Sequence, residues 1–145
     1  MKDAMSGLDL RVIAGELSSH LGSHCKKCYQ PHYEQVVLRL RQKGGGNVDL
    51  VLVRGKRVYT SVRDRPMPQY PAPFAMVLRK VLTNARLEKI DQIGFDRVLK
   101  LTFEASHGNY HLYIEVFRDG NIILTDENDT IIQPLTHASY ADRTL

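Results

Sequence analysis

Three charged residues in this chain, Asp9, Asp96 and Arg97, have the types that recognise a polar ligand. A guanidinium makes two parallel hydrogen bonds to a phosphate or carboxylate, and a carboxylate accepts from amino groups. Local rules also give each a structural role: Asp9 as a helix-start carboxylate, Asp96 as a turn residue, Arg97 as a strand-entrance cation seeking an acid. A second set is Arg39, Arg41 and Lys43, at alternate positions of an apolar-rich run. On a strand such residues share one face about 6.5–7 Å apart, a row that can track a phosphate backbone or guard an edge against aggregation. His20, His24, Cys25 and Cys28 are metal-ligand types, but His24 and Cys25 are adjacent and no second Cys-x-x-Cys follows, so incidental core and surface positions are the expectation. Glycine-rich nucleotide loops, the Gly-x-Ser-x-Gly elbow and His-Glu-x-x-His do not occur. Gly44-Gly45-Gly46 precedes a strand rather than a helix, and reads as a hairpin turn and not a phosphate cradle.

The elements that must position these residues fit one domain. The chain has 145 residues, 43% hydrophobic and 25% charged, close to an ordinary globular domain. No apolar run approaches a membrane span, no secretory signal is evident, and two cysteines are too few for a disulfide scaffold, so a cytoplasmic location is expected. Charge is regional. Residues 1–100 hold 18 Lys+Arg against 9 Asp+Glu, a net of +9, whereas residues 101–145 hold 2 against 7, a net of −5. With a pI near 9.1, this points to an anionic partner for the first two-thirds, nucleic acid before lipid.

Ser6-Gly7-Leu8-Asp9 opens a helix in capping-box style, with Leu10, Ile13, Ala14, Leu17 and Leu21 as its apolar stripe, ending near Gly22. Alternation then predicts strands over 33–43, 48–54 and 57–62, joined by the glycine turn and by Gly55-Lys56. Pro66, Pro68, Pro71 and Pro73 impose an extended crossover. Pro73 also starts a second helix with Phe74, Val77, Leu78, Val81 and Leu82 inward, Arg79 and Lys80 off the stripe near its C-terminal end, and Asn84 closing it. Strands follow over 86–92, 97–103, 110–117, 122–125 and 130–133. The fold class expected is α+β: two antiparallel meanders stacked as a β-sandwich, with helices covering its open ends.

At Met5-Ser6-Gly7-Leu8-Asp9-Leu10, Phe74-Ala75-Met76-Val77-Leu78-Arg79-Lys80-Val81-Leu82, Gly94-Phe95-Asp96-Arg97 and Gly120-Asn121-Ile122-Ile123-Leu124-Thr125-Asp126, the chain resembles the N-terminal domain of the RqcH/NEMF family of ribosome-associated quality control factors, also known as NFACT or fibronectin-binding-protein-A-like proteins. An archaeal homologue fits the resemblance. It implies a fold similar to the N-terminal domain of formamidopyrimidine-type DNA glycosylases, and a single domain over 1–145 that is a fragment of a longer protein. It further implies binding to obstructed large ribosomal subunits carrying peptidyl-tRNA, and recruitment of tRNA for untemplated C-terminal tailing of the stalled chain. The residues of the family that handle tRNA match Asp9, Asp96 and Arg97; Arg39, Arg41, Arg79 and Lys80 are the further RNA-contacting cations expected here. Elongation would use the ribosome's chemistry, so no catalytic residue, cofactor, metal, membrane or small-molecule substrate is expected. The alternative is a DNA glycosylase or lyase in DNA repair, but its amino-terminal Pro-Glu nucleophile is replaced by Met1-Lys2-Asp3. A matrix-binding adhesin, suggested by the older family name, lacks a signal, a wall anchor and a disulfide framework.

Overall fold

The structure, a computed structural model, describes residues 7–32, 34–62, 72–93, 97–117 and 120–136. The Ser6 cap, most of the proline-rich crossover, and Gly94, Phe95 and Asp96 lie outside them. Helix α1 spans Gly7–Leu17 and passes into a 3-10 turn, Ser18–His20. Four strands follow: β1 (His24–His32), β2 (Gln35–Arg41), β3 (Asn47–Val53) and β4 (Arg57–Ser61). Helix α2 (Pro73–Leu82) leads into β5 (Arg86–Gln92), β6 (Val98–Ala105), β7 (Gly108–Glu115), β8 (Ile122–Asp126) and β9 (Ile131–Pro134).

All pairings are antiparallel, and the hydrogen-bonded order is β4-β3-β2-β1-β5-β6-β7-β8-β9. The two runs of strands therefore form one nine-stranded sheet, joined in register only at His24↔Arg86. Backbone bonds on either side reinforce that junction, with Gly22 N donating to Leu87 O and Leu87 N to Ser23 O, both at 2.8 Å. The runs meet again where Gly55 N donates to Glu115 O at 2.8 Å and Arg54 Nη1 to Gly120 O at 2.7 Å. Both send side chains into one core: Val36, Leu38, Leu40, Leu50 and Leu52 from the first, Leu99, Leu101, Phe103, Leu112 and Leu124 from the second.

The helices close the gaps between the runs. α1 packs against β4 and β5, burying Leu10, Ile13 and Leu17, while α2 packs against β1, β6 and β9 through Phe74, Leu78 and Leu82. Pro73 sits in the first turn of α2, where its missing N–H costs nothing, and Asn84 adopts φ 68° just past the helix end, as the sequence suggests. Leu21, expected on the inward stripe of α1, is instead exposed: the tighter 3-10 turn advances each residue further around the axis, so the four-residue spacing from Leu17 no longer returns to the same face.

β1 is the strand that alternation does not reveal. A bulge between Cys25 and Lys27 inserts an extra residue, so Cys25 and Cys28, three apart, both enter the core. Their Sγ atoms lie 3.6 Å apart. The Cys28 thiol is pushed well above its ordinary range, chiefly by its hydrogen bond with Cys25 and then by burial, which leaves it little thiolate character.

Candidate nucleic-acid interface

The register of β2 fixes two faces. Val36, Leu38 and Leu40 face the core opposite Leu52, Leu50 and Val48, while Val37, Arg39 and Arg41 face outward opposite Val51, Asp49 and Asn47. On β1 the outward partners are Tyr29 beside Val37, Lys27 beside Arg39 and His24 beside Arg41. Tyr29, Val37 and Val51 form a small apolar cluster of their own, flanked by Val53 and Tyr59.

Tyr29 is the hub of this face. The Arg39 Cζ lies 5.4 Å from its ring centroid and the Arg79 Cζ 5.5 Å, so one ring carries two guanidinium groups. Each such contact is worth roughly 0.5–2 kcal/mol, more as water is excluded. Arg79 comes from the last turn of α2, and its Nε donates to Cys28 O at 2.8 Å. That bond has a cause in the topology: β1 leaves β5 after His24, and α2 covers the edge thus exposed.

Arg39 is already committed. Its Nε and Nη2 donate to Asp49 Oδ1 and Oδ2 at 2.8 and 3.0 Å, a bidentate pair in which the Asp49 side chain is 6% exposed and that of Arg39 20%. The expectation of a uniform cation row is corrected accordingly: Arg39 is neutralised across the β2–β3 ladder. Lys43 leaves the row as well, since β2 ends at Arg41 and the Lys43 stem folds over Gly22. Arg41 and Lys80 are exposed, as is Lys27, which sequence reasoning did not single out. The Gly44–Gly46 hairpin could have revealed Asp49, because its register sets Arg39 opposite that residue. Removing Asp49 takes both hydrogen bonds of a bidentate acceptor from a half-buried cation. Asp49→Ala is expected to destabilise the fold by about 2–3 kcal/mol, and Arg39→Met/Asp49→Leu to recover most of it. Urea unfolding of the three proteins checks this, and an Asp49→Ala loss below about 0.5 kcal/mol would refute it.

Asp9 and Arg97 stand on other elements, α1 and the approach to β6. Asp9 lies in the first turn of α1, which packs on β5. Arg97 directly precedes β6, and its carbonyl accepts from Val116 N at 2.8 Å. Both side chains are half-buried and both take part in polar interactions. Asp96 lies outside the described residues.

The outer face of β6–β9 holds a concavity of about 640 Å³ lined by Val98, Tyr113, Ile123, Asp129 and Ile131 among others. Tyr113 donates to Asp129 Oδ1 at 2.6 Å, and its hydroxyl is pushed above the ordinary phenol range by burial first and by that bond second. Glu115 and Asp129 are among the residues lining the concavity, and the Lys100 ammonium stands 5.6 Å from the Tyr113 ring centroid. Among the described residues no group of three or more His, Cys, Asp or Glu could hold a metal ion, and no helix is long and apolar enough to cross a membrane.

A family model described as NFACT N-terminal and middle domains matches residues 6–145, and the chain belongs to that family. Among curated proteins it is 37% identical to the archaeal Rqc2 homolog aRqcH of Methanocaldococcus jannaschii, over 100% of this chain and 22% of that protein. It is 36% identical to the human ribosome quality control complex subunit NEMF, over 93% of this chain and 12% of that one. The chain thus spans less than a quarter of the length of either relative. Among solved structures, the N-terminal domain of fibronectin-binding protein PavA from Streptococcus pneumoniae superposes with a TM-score of 0.83 at 28% identity, over 95% of this chain and 56% of that one. The N-terminal part of the fibronectin/fibrinogen-binding protein of Streptococcus suis gives a TM-score of 0.85, also at 28% identity, over 97% and 57%. The α+β architecture, an antiparallel sheet with flanking helices, is shared with both.

Proposed function

We propose that this chain is the RNA-binding module of a cytoplasmic ribosome-associated quality control factor. The module contacts tRNA on obstructed large ribosomal subunits and serves the untemplated tailing of stalled nascent chains. Membership of the NFACT family over residues 6–145 carries this reading, since relatives over this region include ribosome quality control subunits. The chemistry of the chain agrees with it. Arg97 supplies a fork able to grip a phosphate or stack on a base, and Asp9 and Asp96 supply acceptors for base amino groups. Arg41, Arg79 and Lys80 supply cations for the backbone, with Arg39 holding its place beside them. No group in this scheme acts as nucleophile or general base, and the module is non-catalytic.

Co-sedimentation of the chain with purified large subunits tests the proposal. The chain is expected to pellet with subunits carrying peptidyl-tRNA in preference to empty ones. Equal partition between the two, or no pelleting with either, would overturn it.

A further inference from the structure

We propose that Arg79 is a pre-organised contact for an RNA backbone phosphate and that Tyr29 is the positioning residue that holds it. The inference rests on the RNA-binding reading above and names where on the chain the sugar-phosphate backbone lies.

Arg79 differs from an ordinary surface arginine in how much of it is fixed. Its Nε donates to Cys28 O at 2.8 Å, and its Cζ stands 5.5 Å from the Tyr29 centroid, so both the plane and the direction of the guanidinium are set. The Nη edge makes no bond among the described residues. A fork held in this way has already lost the rotamer freedom that binding would otherwise cost. Its planar pair of N–H donors matches two oxygens of a phosphate.

Among the described residues no carboxylate pairs with Arg79. Arg39 sits on the same ring at 5.4 Å with Asp49 as its bidentate partner. Among the described residues the stack has two cations and one carboxylate, and exposed Lys27 lies beside it, opposite Arg39 on β2. An excess of positive charge around a fixed fork suits an anionic polymer. Tyr29 itself is 8% exposed, too covered to take a stacked base. The contact is consequently to the backbone and independent of sequence, unlike the base-stacking tyrosines of many RNA-binding sheets.

Binding of fluorescently labelled tRNA to this chain, measured by polarisation over a salt series, tests the assignment. Arg79→Ala is expected to weaken binding about tenfold and to reduce the magnitude of the salt slope by about 1. Arg79→Lys keeps the charge and loses the fork, so affinity should fall about threefold or more with the slope unchanged. Tyr29→Leu should behave like Arg79→Lys, and Tyr29→Phe, which keeps the ring, like wild type. Urea midpoints for each variant separate a binding loss from unfolding, and Arg79→Lys and Tyr29→Phe decide the matter should Tyr29→Leu fail to fold. Wild-type affinity in Arg79→Lys and Arg79→Ala, together with a loss in Arg97→Ala, would overturn this assignment and leave the RNA-binding reading standing. That is also the result expected if the Tyr29 face instead serves an acidic protein. Absence of tRNA binding by the wild-type chain would overturn both.

Discussion

Gly120→Ala is expected to cost about 3 kcal/mol or more of folding stability, a large share of the roughly 5–15 kcal/mol typical of a domain. A Cβ at this position would meet Glu115 O, Phe117 O at 2.7 Å and the Glu115 Cβ at 2.8 Å. Two of the three obstacles are backbone atoms that no rotamer change can move. They also belong to a junction in use: Gly120 N donates to Phe117 O, Gly120 O accepts from Arg54 Nη1, and Glu115 O accepts from Gly55 N. Relieving the clash therefore loosens the place where the two strand runs meet for the second time. Gly44→Ala is the control, since nothing lies within 4 Å of a Cβ there, and it should change stability by less than about 0.5 kcal/mol. Urea midpoints of the two variants should separate widely; coincident midpoints would mean that the Glu115–Gly120 corner yields freely.

The second large effect concerns RNA. Asp96→Ala/Arg97→Ala is expected to weaken tRNA binding by between tenfold and a hundredfold, the range that a lost bidentate contact of roughly 1–3 kcal/mol implies. Arg97→Lys should recover the salt dependence without recovering the affinity, because an ammonium preserves charge but not the planar fork. Asp9→Asn separates the acceptor role from charge: an amide oxygen still accepts a hydrogen bond, so a small change would assign Asp9 to hydrogen bonding and a large one to its negative charge. Competition against labelled wild-type complex at fixed salt reads all three. Indistinguishable competition curves for the wild type and the double variant would remove Asp96 and Arg97 from the site.

Much of this fold is legible wherever local periodicity decides the outcome. Phe74, Leu78 and Leu82 at helical spacing after Pro73 define α2, and the glycine turn sets β2 against β3. The β7–β8 pairing likewise follows from alternating apolar residues on either side of a turn. Legibility ends where an element depends on a distant one. β1 reads as polar because its bulge breaks the two-residue period, and it is held in place by β2 and α2 more than by its own pattern. Single-pair joining at His24↔Arg86 is likewise invisible in composition, which is why two stacked meanders are expected where the hydrogen bonds draw one sheet.

The candidate site divides in the same way. Asp9 and Arg97 are reached through family resemblance, and nothing local distinguishes them from a helix-start acid and a strand-entrance cation. Arg39 and Arg41 share one face of β2 as alternation suggests, but Lys43 lies past the strand end, and neutralisation of Arg39 depends on a carboxylate in the next strand. Tyr29 escapes notice for a stronger reason. Its role exists only once Arg79, fifty residues later, is brought back over it by α2.

The measurement that bears most directly on the proposed function is the binding isotherm of the wild-type chain with deacylated tRNA at several salt concentrations. Saturable binding that weakens as salt rises is expected, with a slope of log K against log salt of about −2 to −4, as several phosphate contacts require. Duplex DNA of equal charge should displace the tRNA poorly. A chain that shows no saturable binding at low salt, or whose affinity is indifferent to salt, would contradict the account.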